Sequence, residues 1–217
     1  LLGQRMGSFA ATELYQVLKE AGIKTGLMLP PGCTIDEIKK GPAAKVNIVV
    51  NGIALPLARK MKEAFGIPYV EFDKYTDPER VKEAYLKLFQ YLELPLRRGE
   101  GGQPQLPEGL EQRYQEARDC AARAASELKG VTYIYGNTPF SCFEFNRFMV
   151  SLGMIPQIIQ TSAIEEEDRP YIEEILDKVN PYVTKSANIA PLQYVYDVLK
   201  PSLYLGHEYA VRLRKKG

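Results

Sequence analysis

The sequence predicts an α/β protein of two Rossmann-like domains, each with a parallel sheet flanked by helices, joined by a linker and a long helix. Apolar, β-branched runs alternate with stretches of helical spacing along the chain, which is typical of βαβ units. The alternation stops once, where Pro and Gly accumulate between residues 94 and 107, and then restarts. A length of 217 residues allows one large domain or two small ones, so the interruption favours two.

The first half contains three predicted strands and four predicted helices. The strands are the apolar runs 25–29, 46–50 and 67–72. The helices are the stretches 8–21, 34–38, 52–65 and 77–92. Thr34 and Glu37 have the spacing of a capping box, and Gly22 and Gly66 stand where helices usually end.

The middle of the chain is predicted to connect two domains. Pro95, Pro104 and several glycines favour a linker over 94–107. The stretch 108–129, rich in Ala, Glu and Arg, predicts one long helix. This helix either packs between the two domains or connects them. We therefore predict domains at 1–93 and 130–217, with 94–129 as the linker and connecting helix.

The second half restarts the alternation. Strands are predicted at 131–135, 155–160 and 202–205. Helices are predicted at 138–152, 162–178, 191–199 and from 207 onward. Pro139 suits the first position of its helix, and Ser162 with Glu165 predicts a helix cap.

Short stretches of the two halves correspond in sequence and in order. Residues 18–22 correspond to 150–153, and residues 48–52 correspond to 203–206. A repeat of this size predicts two domains of the same topology that face each other. The carboxyl ends of their strands would then line a shared crevice, where open α/β sheets bind ligands.

Candidate cofactor-binding residues lie in the turns between strands and helices. They are Gly32, Cys33, Asn51, Gly52, Gly136, Asn137 and His207. Glycine permits close approach of a ligand or a turn with positive φ, and the helix amino termini that follow favour an anion. Gly and Asn are also simply good turn residues, so this alternative stays open at each turn.

The three cysteines predict no metal site. Cys33 stands at a predicted helix start, where the dipole would lower its thiol pKa and make it a candidate ligand or reactive thiol. A small buried turn residue is the favoured alternative, and the same choice applies to Cys142. Cys120 falls among alanines and predicts packing. An odd number of cysteines without C-x-x-C argues against disulfides and against a self-contained zinc or iron–sulfur site.

Composition and motifs exclude several classes of function. A formal net charge of +1 argues against nucleic acid or an anionic membrane as a partner, and no apolar run approaches the roughly 20 residues of a membrane helix. Neither G-x-G-x-x-G nor G-x-x-x-x-G-K-[ST] follows a predicted strand, so a dinucleotide or nucleoside triphosphate is not expected. Without a signal peptide and with an odd cysteine count, the chain is expected in the cytoplasm.

No catalytic residue is predicted. His207, the single histidine, stands beside Glu208 and would suit a ligand or proton shuttle, but no Ser–His–Asp arrangement or acid pair accompanies it. Four phenylalanines between 140 and 148 favour core packing on two sides of a helix. A flat macrocyclic cofactor is the second interpretation of that surface.

Several motifs resemble the nitrogenase component 1-type oxidoreductases. Those similar to the family's middle domain are Leu2-Gly3, Gly7-Ser8, Glu13-Leu14, 18–22, Leu29-Pro30, 34–38 and 44–71. Those similar to its third domain are Gly136-Asn137, 151–154 and 199–203. The resemblance covers most of the chain outside the linker, in the family's order and spacing.

The resemblance implies a subunit of three Rossmann-like domains that pairs with a homologous component 1 subunit, as a homodimer or a heterodimer. It implies electrons from an ATP-dependent iron–sulfur reductase and reduction of dinitrogen or of a tetrapyrrole double bond, although some members are scaffolds for cofactor assembly. It also implies an iron–sulfur cluster in the parent protein, with a tetrapyrrole or a metal cluster as alternative cofactors.

The sequence departs from the family pattern at three places. The family's first domain, whose cysteines hold the bridging cluster, is not matched, so those ligands are expected outside this chain. Val50, followed by Asn51, stands where the nitrogenase catalytic subunit has a cysteine that anchors its metal cofactor. The chain ends at Gly217, before the family's cofactor histidine. We therefore expect a fragment that is inactive and binds no cofactor alone, from a parent that does not reduce dinitrogen.

The first interpretation is thus part of a nitrogenase-like oxidoreductase subunit that reduces a substrate or a metallocofactor in the inter-domain cleft. The alternative is a metal or siderophore binding protein, which also joins two Rossmann-like halves by a helix. A signal peptide or lipid anchor in the parent would favour that alternative. A nucleotide-sugar transferase is disfavoured because the phosphate loop is missing and few acidic residues stand at strand ends.

Overall fold

A computed structural model describes residues 1–3, 9–29, 33–72, 75–136, 142–185 and 192–206. By their contacts the residues form two compact units. Unit 1 comprises Leu1–Lys74 and Glu79–Gln112, and unit 2 comprises Tyr75–Pro78 and Arg113–Gly217. Each is an α/β unit with a parallel sheet and flanking helices, as the sequence predicts. The domain boundaries given above stay a prediction.

Unit 1 contains most of the elements that the sequence predicts for the first half. Its helices are α1 (Glu13–Glu20), α2 (Ile35–Lys39), α3 (Leu55–Phe65), α4 (Pro78–Leu92) and the start of α5 (Glu108–Leu128). Its strands are β1 (Asn47–Val49), β2 (Tyr69–Glu71), β3 (Arg97–Arg98) and β4 (Pro104–Gln105). Thr34 and Glu37 form the predicted capping box of α2. Gly66 ends α3 in the left-handed conformation, at φ 70°.

The sheet of unit 1 extends beyond β1 and β2. Residues 1–3 lie parallel between β1 and the segment 27–29, since Leu2 bridges both Leu29 and Val49. The Leu2 amide donates to the Ile48 carbonyl at 2.8 Å, and the Gly3 amide donates to the Leu29 carbonyl at 2.8 Å. The strand order is therefore 27–29, 1–3, β1, β2. The sequence pattern does not predict the central strand at 1–3.

The core of unit 1 lies against this sheet and reaches the segment predicted as a linker. Its buried members include Leu18, Ile48, Val70, Tyr85 and Leu88. Leu106 belongs to the same core and is 1% exposed. The stretch 94–107 therefore does more than connect: its two short antiparallel strands β3 and β4 place an apolar side chain in the core.

Unit 2 has one parallel sheet of four strands in the described residues. Its strands are β5 (Thr132–Gly136), β6 (Ile155–Thr161), β7 (Tyr182–Lys185) and β8 (Leu203–Gly206). Its further helices are α6 (Cys142–Ser151), α7 (Arg169–Leu176) and α8 (Leu192–Leu199). The strand order is β7-β6-β5-β8. The sequence pattern predicts all of these elements except β7.

Two details of the prediction are wrong. The cap before α7 is made by Glu165 and Asp168, not by Ser162 and Glu165, because a short 3-10 turn at Glu166–Asp168 precedes the helix. The two units also differ in topology: the first strand in sequence lies between the second and third strands in unit 1, but between the second and fourth strands in the described sheet of unit 2. Strand order depends on long-range pairing, which short matching motifs do not determine.

β6 carries a bulge at Gln157. Tyr133 pairs with Pro156 and Ile134 pairs with Ile158, so Gln157 is the extra residue. The Gln157 side-chain Nε2 donates to the Leu199 carbonyl at the end of α8 at 3.3 Å, and Ile158 packs with the same helix. Pro156 directly precedes the bulge and lies inside a central strand. Proline has no N–H to donate to the ladder, and a bulge is one of the few places where a strand accommodates it.

The sheet of unit 2 is buried on both faces. One face packs against α6 and α7 through a cluster that includes Tyr133, Tyr135, Phe143, Phe145 and Ile159. The other face packs against α8 through Ile134 and Ile158. Phe143 and Phe145 are core residues, as the favoured interpretation of the phenylalanines predicts, but both belong to the same cluster. Phe148 is half-buried. Phe140 lies outside the described residues.

Candidate functional site

Unit 1 has a topological switch point between residues 1–3 and β1, because the next described helix after residues 1–3, α1, packs on one face of the sheet and the helix that follows β1, α3, packs on the other. Open α/β sheets bind ligands at such points, outside the carboxyl ends of the strands. Gly3 ends one strand at φ 89°, and a Cβ there would lie 2.9 Å from the Cβ of Asn51. Position 3 therefore requires glycine, and Asn51 packs directly on it.

Asn51 follows β1 at this switch point. Its Oδ1 accepts a hydrogen bond from the Ile53 amide at 3.1 Å and so caps the turn Gly52–Ala54 that leads into α3. Since Oδ1 serves as the cap, the Nδ2 group is the part of the side chain suited to donate to a ligand. The structure thus brings two predicted site residues, Asn51 and Gly52, to the expected edge of the sheet.

Cys33 lines a cavity of about 660 Å³ in unit 1. It directly precedes Thr34, the cap of α2, while Gly32 lies outside the described residues. Buried apolar side chains, including Leu2, Leu18 and Ile48, line the interior of the cavity. Its exposed lining residues include Lys24, Lys40 and Lys45. The cavity is therefore apolar inside and basic toward solvent.

The switch point of unit 2 lies between β5 and β8, which end in paired glycines, Gly136 and Gly206. A Cβ at either position would collide with the ring of Tyr204. The predicted site residue Gly136 is therefore at the switch point, and the ring of Tyr204 fills the space that a Cβ at position 136 would take. Asn137 and His207, which follow the two strands in sequence, lie outside the described residues.

Tyr204 is a feature of this edge that sequence reasoning misses. Its ring packs with Ile134 and with partly buried residues of α8, and the side chain is half-buried. Burial raises the pKa of the Tyr204 phenol, so the hydroxyl stays protonated at neutral pH. An aromatic residue inside a predicted strand favours core packing, and no sequence signal indicated that its ring covers two glycines.

Cys142 begins α6 in a buried polar network. Burial raises the pKa of its thiol to about 12, and Sγ lies 4.0 Å from the Gln160 carbonyl oxygen. Its own carbonyl accepts from the side-chain Nδ2 of Asn146 at 2.7 Å, and Asn146 Oδ1 accepts from the Tyr133 hydroxyl at 2.7 Å. The structure therefore favours the packing interpretation of Cys142 over a reactive thiol.

A second buried polar cluster in unit 2 lies just before α4. Glu144 of α6 is 1% exposed and accepts hydrogen bonds from the Thr76 hydroxyl at 3.2 Å and the Asp77 amide at 3.1 Å. Burial raises the pKa of Glu144. Arg147, one turn further along α6, pairs with the Asp77 carboxylate. Sequence reasoning gives no role to these residues.

The described residues supply no donor set for a metal cluster. No group of three or more His, Cys, Asp or Glu side chains within the described ranges could hold a metal ion. Of the cysteines, Cys142 keeps its proton and Cys120 is exposed on α5. An iron–sulfur cluster does not fit the residues that the structure describes. Among the helices of the described chain, none is both long enough and apolar enough to span a membrane.

Together, the parallel sheets and their flanking helices define a protein of Rossmann-like units. The family model described as nitrogenase component 1 type oxidoreductase matches residues 1–217. The chain therefore belongs to the nitrogenase component 1-type oxidoreductase family, as the resemblance of its motifs indicated.

Two curated relatives support the family assignment. The nitrogenase iron-molybdenum cofactor biosynthesis protein NifE of Clostridium pasteurianum is 29% identical over 173 residues, which are 76% of this chain and 37% of that protein. A light-independent protochlorophyllide reductase polypeptide of Nostoc punctiforme is 34% identical over 61 residues, which are 28% of this chain and 12% of that protein. The chain thus spans well under half of the relatives it matches.

Solved structures support the fold. A structure titled "Nitrogenase Cp1 at pH 6.5" matches with a TM-score of 0.62 and 15% identity, covering 85% of this chain and 43% of that chain. A second structure, "Nitrogenase Cp1 at pH 5", matches with a TM-score of 0.57 and 14% identity, covering 94% of this chain and 46% of that chain. At these identities the similarity concerns the fold.

Proposed function

We propose that the chain is part of a subunit that accepts electrons from an ATP-dependent iron–sulfur reductase and reduces a substrate or a metallocofactor at the carboxyl ends of its parallel strands. The observation that carries the proposal is the family match over residues 1–217. The subunit pairs with a homologous component 1 subunit. Its cofactor-binding residues are Gly32, Cys33, Asn51, Gly52, Gly136, Asn137 and His207.

The chemistry of Asn51 supports binding through hydrogen bonds at the switch point of unit 1. Its Nδ2 group is a neutral donor, and Gly3 and Gly52 beside it allow close approach of a ligand. The ligands of an iron–sulfur cluster come from outside the described residues, since these supply no donor set. We therefore propose that the 217-residue chain has no turnover alone.

A second candidate is a protein that assembles a metallocofactor and passes it on. The identity of 29% with NifE, named as a cofactor biosynthesis protein, extends over 76% of the chain and favours it. The two candidates differ in turnover: an enzyme uses electrons repeatedly, whereas an assembly protein gives up its cofactor to another protein.

Electron uptake by the full-length protein tests the first candidate. The anaerobically purified protein is mixed with reduced iron–sulfur reductase and ATP, and oxidation of the reductase is followed by its absorbance. We expect sustained oxidation that requires both ATP and the full-length protein. Transfer of bound metal to a second, cofactor-free component 1 protein without sustained oxidation would favour assembly. If neither oxidation of the reductase nor transfer of metal is observed, both candidates are excluded.

Variants of Asn51 separate binding from capping. Asn51→Ala removes both the cap and the Nδ2 donor, whereas Asn51→Asp keeps a capping oxygen and loses the donor. We expect both variants to lower electron uptake at least tenfold, with a lower melting temperature only for Asn51→Ala. Full activity of Asn51→Asp would show that Asn51 acts only as a helix cap.

A further inference from the structure

We infer that the cavity of unit 1 is a docking site for an extended segment, and that in the full-length protein the residues directly before Leu1 occupy it. There they continue the central strand 1–3 between its two neighbours. The inference is independent of the proposed function, because residues that begin the strands, such as Leu27 and Asn47, line the cavity. It therefore lies at the opposite end of the sheet from the switch point.

The register of the sheet carries the inference. The Leu2 amide donates to the Ile48 carbonyl at 2.8 Å, and the Val50 amide donates to the Leu2 carbonyl at 2.9 Å. The N–H and C=O groups of one strand residue point to the same neighbouring strand, so the Ile48 N–H also faces strand 1–3. In this parallel ladder its acceptor is the carbonyl of the residue directly before Leu1.

The Ile48 amide lies in a buried position that requires such an acceptor. Ile48 is 7% exposed, and among the described residues none accepts a hydrogen bond from its N–H on the side of strand 1–3. Buried backbone N–H groups are almost always paired in folded proteins. One further strand residue before Leu1 supplies the acceptor.

The amino group of Leu1 indicates the same continuation. It donates to the Leu27 carbonyl at 2.7 Å, which is the hydrogen bond that a peptide N–H makes at this position of the ladder. Burial lowers the pKa of the amino group to about 6, because a charge is costly in these surroundings. A peptide bond to a preceding residue keeps the hydrogen bond and removes the charge.

The cavity has an apolar wall that suits one side chain of the segment. Side chains alternate between the faces of a sheet, and Leu1 packs with the cluster that contains α1 and α4, whereas Leu2 packs with α3. The second residue before Leu1 therefore faces the same side as Leu1. On that side Leu18, Ile23 and Leu92 line the cavity, so we expect an apolar side chain at this position.

The chain itself is a better occupant than a separate peptide or ligand. A segment joined to Leu1 is held beside the cavity at a high effective concentration, whereas a separate molecule loses translational freedom when it binds. This chain covers 37% of NifE and 43% of a solved nitrogenase chain. The full-length protein therefore has further chain from which such a segment comes.

Amide hydrogen exchange in the full-length protein tests the inference. Mass spectrometry with single-residue resolution compares the Ile48 amide with the Val50 amide, which is paired with Leu2 in either case and serves as the internal control. We expect the two exchange rates to agree within tenfold. Replacing the first and second residues before Leu1 by proline removes their N–H groups from the ladder and speeds exchange at Ile48 at least tenfold. Replacing both by alanine keeps these N–H groups and is the matched control.

Several outcomes overturn the inference. One is exchange at Ile48 more than tenfold faster than at Val50 in the wild-type protein. Another is protection of Ile48 that responds equally to the proline and alanine pairs, because a different segment or a ligand then fills the cavity. A third is a gene that encodes a charged residue two places before Leu1. If the double-proline protein does not fold, proline at the first of the two positions alone decides by the same comparison.

Discussion

Burial determines the chemistry of the Cys142 thiol. With its pKa raised to about 12, about one thiol in ten thousand is ionised at pH 8. The thiolate is the form that binds metals and attacks electrophiles, so Cys142 is a poor ligand and a poor nucleophile in the folded protein. Its contribution is to packing, beside Asn146 and Gln160.

We therefore predict that iodoacetamide at pH 8 modifies Cys120 but not Cys142. Cys120 is exposed on α5 and serves as the internal control. Mass spectrometry of the digested protein measures the labelled fraction of each cysteine, and both react once the protein is unfolded in urea. Rapid labelling of Cys142 in the folded protein would contradict the assignment.

Single residues also show what can be predicted without coordinates. Asn51 and Gly136 are predicted as site residues because they follow strands, and the structure places each at a switch point. Whether they bind a cofactor stays a prediction. Tyr204 escapes prediction because its position over Gly136 depends on the pairing of two strands that are distant in sequence.

At the scale of elements, residues 76 and 77 of unit 2 are held by side chains of α6. Glu144 accepts hydrogen bonds from residues 76 and 77, just before the first turn of α4. Arg147 pairs with Asp77, and the two side chains are 17% and 6% exposed. Removal of one partner of such a buried pair leaves an uncompensated charge, which destabilises a protein strongly.

We predict that Arg147→Met lowers the free energy of unfolding by about 3 kcal/mol, because the buried Asp77 carboxylate loses its ion pair with Arg147. Arg169→Met is the matched control: Arg169 and its partner Glu166 are 68% and 81% exposed, and such pairs contribute less than about 1 kcal/mol. Urea denaturation of both variants measures the difference. Equal losses would show that the Asp77–Arg147 pair contributes no more than a surface pair.

Local chemistry predicts most elements but not all. The capping box of Thr34 and Glu37 and the end of α3 at Gly66 follow from short-range rules. β7 escapes prediction because it has four residues, follows directly after Asn180-Pro181 and ends in Lys185. The residues of such a strand show no clear alternation of apolar and polar side chains. Only the pairing with β6 identifies them as a strand.

At the scale of the whole molecule, each unit has hydrophobic clusters of its own, two in the described part of unit 1 and two in that of unit 2. Leu88 is 0% exposed in the core of unit 1, and Ile159 is 0% exposed in the core of unit 2. The sequence predicts two α/β bodies from the interrupted alternation. It does not predict their strand orders, because these depend on which crossovers the chain makes and not on local patterns.

We predict that Leu88→Ala and Ile159→Ala each lower the free energy of unfolding by about 2–5 kcal/mol, since each leaves a cavity in a buried core. Leu57→Ala and Ile155→Ala are the matched controls, because each side chain is 41% exposed. Chemical denaturation, with amide hydrogen exchange to locate the loosened unit, measures the effect. A loss as small as that of its control would show that the residue does not lie in a tightly packed core.

The bulge in β6 restricts how this protein can diverge. Side chains along a strand alternate between its faces, and Gln157 shifts that phase by one residue. Deleting Gln157 alone would join Pro156 to Ile158 and leave Ile159 opposite Tyr135, so the ladder would become regular. Deleting a residue after the bulge, such as Ile159, would instead turn part of the strand to the opposite face of the sheet. The bulge is therefore the one position inside β6 where we expect the loss of a residue to be tolerated.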